Sequence, residues 1–325
     1  MEEGSIPTSE EQRILDVWAE VLQSGQLVLG PQLEAFEREF ATYIGVKHCV
    51  GVSSGTDALS LILRATIQPG DEVIVPALTF IATAEAVIHA GGVPVFCDVD
   101  PDSWCVTPET VEPHLTGRSA ALLAVDLFGN PAPFNDLARF GLPIVEDACQ
   151  AAGSSYKGAM CGSLGNAGAF SFYPSKNLAG CGDGGAVTTD DDEIARRVRL
   201  LRHHGSADGR EHFEIGGTHR LDELQAAALR VRLPRLDDRI ALQREQARAL
   251  MAEGHVLQAE TGGGESSWHL HVTCEAVSGP GRRYYEIPLH QQPSLQRYWR
   301  CDLPNAEHFG RTNVCLSPVP ITLPA

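Results

Sequence analysis

The 325-residue sequence has no C-x-x-C pair and no cysteine–histidine cluster at zinc-finger spacing; its nine cysteines stand singly. That pattern excludes a zinc ribbon, and an odd count argues against a disulfide framework. Basic residues are scarce, with 25 Lys and Arg against 42 Asp and Glu and a formal net charge of -17. So acidic a chain repels phosphate backbones and anionic lipid, and neither nucleic acid nor a membrane surface is expected as a partner. A small anionic ligand stays possible, because helix N-termini bind phosphate even in an acidic protein. No apolar run approaches the ~18 residues that span a bilayer, and the N-terminal MEEGSIPTSEEQ lacks the basic-then-apolar order of a secretory leader. The sequence therefore reads as soluble and cytoplasmic. Hydrophobic residues at 43% and charged residues at 21% fit a globular chain, and the length predicts one large domain and one small.

Helical spacing of Ile14, Val17, Trp18, Val21 and Leu22, and again of Leu33, Phe36 and Phe40 after Gly30-Pro31, predicts two opening amphipathic helices. Short apolar runs then alternate with helical stretches: EVIVPA (72–77), VPVFCDVD (93–100), AALLAVDLFG (120–129), LPIVEDA (142–148) and AGAFSFYP (167–174). They predict buried strands of a mostly parallel sheet with helices on both faces, an α/β architecture. A first-position Pro108 after Thr107 marks one helix start. Residues 191–205 read as a helix, followed by a long helical region over 220–254 with a kink at Pro234. Beyond Gly254 the pattern is irregular, with a glycine cluster at 262–264 and a turn at SGPGRR (278–283). The expected division is a large domain over 1–240 and a small, abbreviated C-terminal α+β domain over 241–325.

Three βα junctions carry candidate chemistry. SSGTDAL (53–59) places hydroxyls and free N–H groups at a helix start, where they either cap the helix or grip an anion. Glu146 and Asp147 end an apolar strand, where open α/β sheets place ligands; each carboxylate is either a helix cap or the partner of a buried cation. Lys176 follows the strand FSFYPS and precedes the glycine-rich AGCGDGGA (179–186), and it is either a solvated loop lysine or an amine that forms a Schiff base. A lysine, a carboxylate for a pyridine nitrogen and a phosphate cup are together the requirements of pyridoxal 5'-phosphate.

The ordered motifs LGPQLEAFEREFATYIG (29–45), SSGTDAL, GDEVIVPALTFIATAEAV (70–87), PVFCDVD, EDACQAAGSSYKG (146–158), FSFYPSKNL (170–178), GDGGAV (182–187) and RLDELQAA (220–227) resemble the DegT/DnrJ/EryC1/StrS family of sugar aminotransferases. The resemblance covers about residues 10–250 and implies an aspartate aminotransferase-like large domain that binds pyridoxal phosphate. By matching position it makes Lys176 the cofactor-binding lysine and proton carrier, Asp147 the partner of the pyridinium nitrogen and Gln150 the donor to the phenolic oxygen. Phe80 matches the aromatic that stacks on the ring, and Gly55, Thr56 and Ser171 match the phosphate cup. Thr218 stands where the family has an asparagine that reaches the phosphate from a partner subunit, which implies a homodimer. After Val277 the chain passes almost directly to YYEIPLHQQP (284–293), where the family has a further strand and helix, so recognition by Tyr285 and His290 is left open. The expected reaction moves an amino group from glutamate or glutamine to a keto sugar, specifically a nucleotide-linked 3-keto sugar, with keto-inositols as a variant. Two alternatives stand beside it: a catalytically silent cofactor-binding regulatory or structural protein, and a pyridoxamine-type sugar dehydratase, which has histidine in place of the lysine.

Overall fold

A computed structural model describes residues 9–276 and 281–317. Helices α1 (Ser9–Ser24) and α2 (Pro31–Ile44) open the chain, as the spacing predicts. There follow β1 (His48–Val52), α3 (Gly55–Thr66), β2 (Glu72–Pro76), α4 (Ala82–His89), β3 (Val93–Cys97) and the short α5 (Pro108–Val111). Then come β4 (Ser119–Val125), the short α6 (Phe134–Leu137), β5 (Ile144–Asp147), a hairpin of β6 (Ser155–Tyr156) and β7 (Ala159–Met160), β8 (Ala167–Ser171) and β9 (Gly185–Thr189). The main sheet has seven strands in the order β1-β9-β8-β5-β4-β2-β3. The β3, β2, β4, β5 and β8 neighbours pair parallel, whereas β9 runs antiparallel to both β8 and β1. The sheet is thus mostly parallel.

Alternate strand residues enter different cores, as the period-2 geometry of a strand demands. Val50, Val73, Val75, Leu123, Ala169 and Val187 share one cluster with residues of α3 and α4. Phe170 and Ala186 face the other way, into a cluster with Leu33, Phe36 and Phe40 of α2. Within it the Phe40 ring meets the Phe170 ring edge-on at 5.0 Å. The sheet is covered on both faces, which is why its strands read as unbroken apolar runs. All five runs extend past the strands they contain, three of them by three or more residues at the carboxyl end: β3 ends at Cys97, β4 at Val125 and β8 at Ser171. After β4 the chain instead turns through Leu127–Gly129, with Phe128 at φ 57. Asp126 N–H still bonds the Asp147 carbonyl at 3.1 Å, and the turn releases Leu127–Gly129 from the ladder at the edge where the site forms.

Helix α7 (Asp192–Arg202) begins on an Asp191 cap that accepts from Glu193 N and Ile194 N. Helices α8 (Glu223–Arg232) and α9 (Leu236–Ala252) are separated by a 3-10 turn, Leu233–Arg235, at the expected proline. The acidic residue of RLDE has a physical task here. Buried Glu223 accepts from Gly30 N at 3.0 Å, Gln32 N at 2.8 Å and Leu33 N at 2.8 Å, and so neutralises the N-terminus of α2. Beyond α9, β10 (Gly264–Glu265) joins the β6–β7 hairpin, and β11 (His271–Thr273) pairs with β12 (Val314–Ser317) beside α10 (Pro304–Thr312). Asp98 caps α10 by accepting from Asn305 N and Ala306 N, and Leu270, Leu289, Leu303 and Phe309 enter the same core as α3. The expected turn at 278–283 lies partly outside the described residues, and the C-terminal stretch 318–325 wholly so.

Candidate active site

The carboxyl ends of β4, β5 and β8 and the start of α3 surround a cavity of about 820 Å³. It is lined by Gly55, Thr56, Phe80, Asp147, Gln150, Ser171 and Lys176, seven of the eight residues expected from sequence. Why these segments converge is visible at Gly55. A Cβ there would lie 2.6 Å from Cys149 Sγ and 2.9 Å from Ser171 Cβ, so only glycine lets the first turn of α3 approach the ends of β5 and β8. Ser54 caps α3, its Oγ accepting from Asp57 N at 3.1 Å. The N–H groups of the first turn have no intrahelical acceptor and present positive charge to the cavity.

Asp147 is only 5% exposed. Its Oδ2 accepts from Thr83 Oγ1 at 2.9 Å and its Oδ1 from Cys149 N at 3.2 Å, both neutral donors. Among the described residues no cation pairs with it, and a buried carboxylate in that state calls for a cationic partner. Glu146, its neighbour, points elsewhere and plays no part in the cavity. It accepts from Gly162, Leu164 and Gly165 N–H, fixing the loop between β7 and β8. Neither carboxylate is a helix cap.

Lys176 is half-buried in the cavity wall, and among the described residues its ammonium makes no hydrogen bond or ion pair. Burial pushes its pKa below the ordinary lysine value, against the opposing pull of Cys149 and Asp147. A lysine in that setting loses its proton more readily, which is what a nucleophilic amine requires. Phe80 is 57% exposed at the rim, an apolar ring left without cover and hence available to a flat ligand. An unpaired buried carboxylate, an unpartnered amine and a helix N-terminus narrowed to glycine together match what pyridoxal phosphate needs at its ring nitrogen, aldehyde carbon and phosphate.

Gln150, Thr218 and His290 have partners of their own in the structure. Gln150 is a buried amide whose Oε1 accepts from Phe128 N at 2.7 Å and whose Nε2 donates to Tyr285 Oη at 2.7 Å. Tyr285, at φ 53, stacks on Phe128 with ring centroids 5.8 Å apart. Thr218 does not line the cavity of its own chain. It is exposed, with its hydroxyl 2.9 Å from His204 Nε2. His290 is fully buried and bonded to Glu307 at 3.1 Å, so it serves packing of the C-terminal region. The sequence reading missed His269, Asn177 and Arg239, which also line the cavity.

The family model of the DegT/DnrJ/EryC1/StrS aminotransferases matches residues 8–322. The dTDP-3-amino-3,4,6-trideoxy-alpha-D-glucose transaminase of Streptomyces venezuelae is 42% identical over 318 residues, spanning 90% of this chain and 83% of that protein. The UDP-N-acetyl-3-dehydro-alpha-D-glucosamine 3-aminotransferase of Acidithiobacillus ferrooxidans is 39% identical over 327 residues, spanning 94% and 89%. Among solved structures, S. venezuelae DesV in complex with a ketimine intermediate superposes with a TM-score of 0.90 at 40% identity, covering 95% of this chain and 89% of DesV.

Proposed function

The chain belongs to the DegT/DnrJ/EryC1/StrS aminotransferase family, and from that premise we propose that it moves an amino group from glutamate or glutamine onto a nucleotide-linked 3-keto sugar. The observation that carries the chemistry is the presence, in one cavity, of Lys176, whose ammonium makes no hydrogen bond among the described residues, and of the buried carboxylate of Asp147, which accepts from neutral donors. The 3-keto assignment is supported by relatives named for 3-amino sugars.

Pyridoxal phosphate, when bound, supplies an electrophilic carbon for amines and a protonated ring that draws electrons from the neighbouring substrate carbon. The residues of the chain do the rest. Lys176 holds the group through its amine and, when free, carries the proton at the substrate carbon. Asp147 keeps the ring nitrogen protonated. The Gly55 and Thr56 N–H groups, with the Thr56 and Ser171 hydroxyls, bind the phosphate, and Phe80 covers one face and excludes water. Gln150, anchored by Phe128 N–H, offers an amide proton to the phenolic oxygen.

In this reading the protein is a cytoplasmic homodimer, with a small domain beginning near residue 241. Exposed apolar side chains flank the segment that would cross to the partner: Leu27 at 44%, Val28 at 41%, Phe213 at 67% and Ile215 at 88%. Thr218, outside its own cavity, then meets the partner's phosphate. Because one neutral hydrogen bond nets ~0.5–1.5 kcal/mol, Thr218→Asn should retain cofactor more tightly by up to about tenfold, measured by dialysis against free cofactor. Unchanged or weaker retention would place Thr218 away from the phosphate.

The activity itself is tested by adding glutamate or glutamine to the cofactor-loaded protein. Loss of the absorbance of the lysine-bound cofactor is expected, followed by its recovery with 3-keto but not 4-keto nucleotide sugars or keto-inositols. A spectrum that neither donor changes would replace this reading with a catalytically silent cofactor binder.

A further inference from the structure

The hydrogen bond between Gln150 and Tyr285 has a settled direction. The backbone N–H of Phe128 donates to Gln150 Oε1 at 2.7 Å, and a backbone N–H only donates, so the other terminal atom of the amide is its nitrogen. Nε2 then donates to Tyr285 Oη at 2.7 Å. The tyrosine oxygen is the acceptor in that bond. Its own proton points away from Gln150, and among the described residues no acceptor takes it. The second proton of Nε2 is likewise without an acceptor among the described residues.

Both side chains line the cavity with Lys176 and Asp147. The Tyr285 ring stacks on Phe128, with 5.8 Å between centroids and 14° between planes, and Phe128 is the residue whose N–H anchors Gln150. Tyr285 also takes left-handed backbone, φ 53, a strained conformation for a non-glycine residue and one that concentrates at functional sites. Burial, reinforced by Asp147, Tyr284 and Cys149 against the pull of the Gln150 amide, holds the phenol pKa above its ordinary value. The hydroxyl therefore keeps its proton and serves as a neutral hydrogen-bond donor.

We propose that Tyr285 is a second donor to the phenolic oxygen of the cofactor, acting beside Gln150, and that the two together set the pH at which the nitrogen joining Lys176 to the cofactor gains its proton. This rests on the assignment of Lys176 and Gln150 to pyridoxal phosphate. Two donors 2.7 Å apart can share one acceptor that has several lone pairs, and a phenolate oxygen is such an acceptor. The phenolate depends on these donors most when the neighbouring nitrogen has no proton to share with it. Hydrogen bonds that favour the unprotonated form lower the proton affinity of that nitrogen. Asp147, Cys149 and His269 are the titratable groups that face Lys176, and Arg239, Arg282 and Arg283 line the same cavity. None of these six changes in the variants below, so their influence is common to all of them.

Absorbance of the lysine-bound cofactor, titrated in the full-length protein without an amino donor, reads the midpoint without turnover. Tyr285→Phe keeps the stacked ring and should raise the midpoint by about one pH unit, a tenfold change in proton affinity. Gln150→Met fills similar space without a donor and should raise it too. In the Gln150→Met background Tyr285→Phe should raise it again, whereas a tyrosine that only steadied Gln150 would add nothing. An unchanged midpoint in Tyr285→Phe, or no second step in the Gln150→Met background, overturns this proposal and leaves the aminotransferase reading standing. A wild-type protein that forms no lysine-bound cofactor overturns the assignment of Lys176 and this proposal with it.

Discussion

Lys176→Ala is expected to lower turnover by at least about 10⁴-fold and to abolish covalent retention of cofactor, because one substitution removes both the nucleophile and the proton carrier. The fold should tolerate it. The ammonium makes no hydrogen bond or ion pair among the described residues, so no hydrogen-bond partner is orphaned when it goes. Removing a half-buried cation also removes its desolvation cost, the cause of its lowered pKa. Thermal stability of the cofactor-free variant should accordingly match or exceed that of the wild-type chain. The site is checked by borohydride reduction, digestion and mass spectrometry, with the reduced cofactor expected on the Lys176 peptide. Lys157 is the control, with its ammonium 4.9 Å from the Tyr156 ring centroid and outside the cavity lining. Cofactor found on Lys157, or on no lysine, would overturn the assignment.

The parts of the site that were legible in sequence are those set by local backbone geometry. Gly55, Asp147 and Ser171 sit at strand ends or at a helix start, where apolar periodicity stops and a βα junction must follow, so residue type and position are read together. Lys176 stood out because glycines follow it. Strand lengths were overestimated at β3, β4 and β8, since apolar character continues past the last ladder hydrogen bond into buried turns such as Leu127–Gly129. Asn177 and His269 were not legible, because their bond joins residues 92 positions apart and His269 lies where no period marks a face. The link between Gln150 and Tyr285 spans 135 positions and depends on left-handed backbone at Tyr285, which sequence pattern does not announce for a non-glycine residue. Thr218 was readable only as a departure from a family pattern, since its proposed ligand belongs to another copy of the chain.

Asp147→Asn is expected to cut turnover on the order of 10³-fold while cofactor stays bound, and at the same time to stabilise the cofactor-free protein. The two effects have one origin. In the structure the carboxylate accepts from Thr83 and Cys149 N–H, both neutral, and a buried charge with neutral hydrogen-bond partners costs stability that a cationic ring nitrogen would recover. An amide fits the same space. Thr83 Oγ1 lies 3.0 Å from Thr79 Oγ1 and either can donate, so Thr83 can accept from the amide nitrogen of the variant and pass its own proton to Thr79. The amide oxygen keeps the bond from Cys149 N–H, so no buried group is orphaned and the charge is gone. The ring nitrogen, however, loses the anion that keeps it protonated, and electron withdrawal from the substrate carbon weakens. Absorbance with and without donor, stopped-flow turnover and thermal unfolding of the cofactor-free chain measure the three quantities. A structural aspartate would behave in the opposite way, losing stability on substitution while the surviving folded fraction kept its rate. That outcome would remove Asp147 from the chemistry and leave the ring nitrogen without an assigned partner in this cavity.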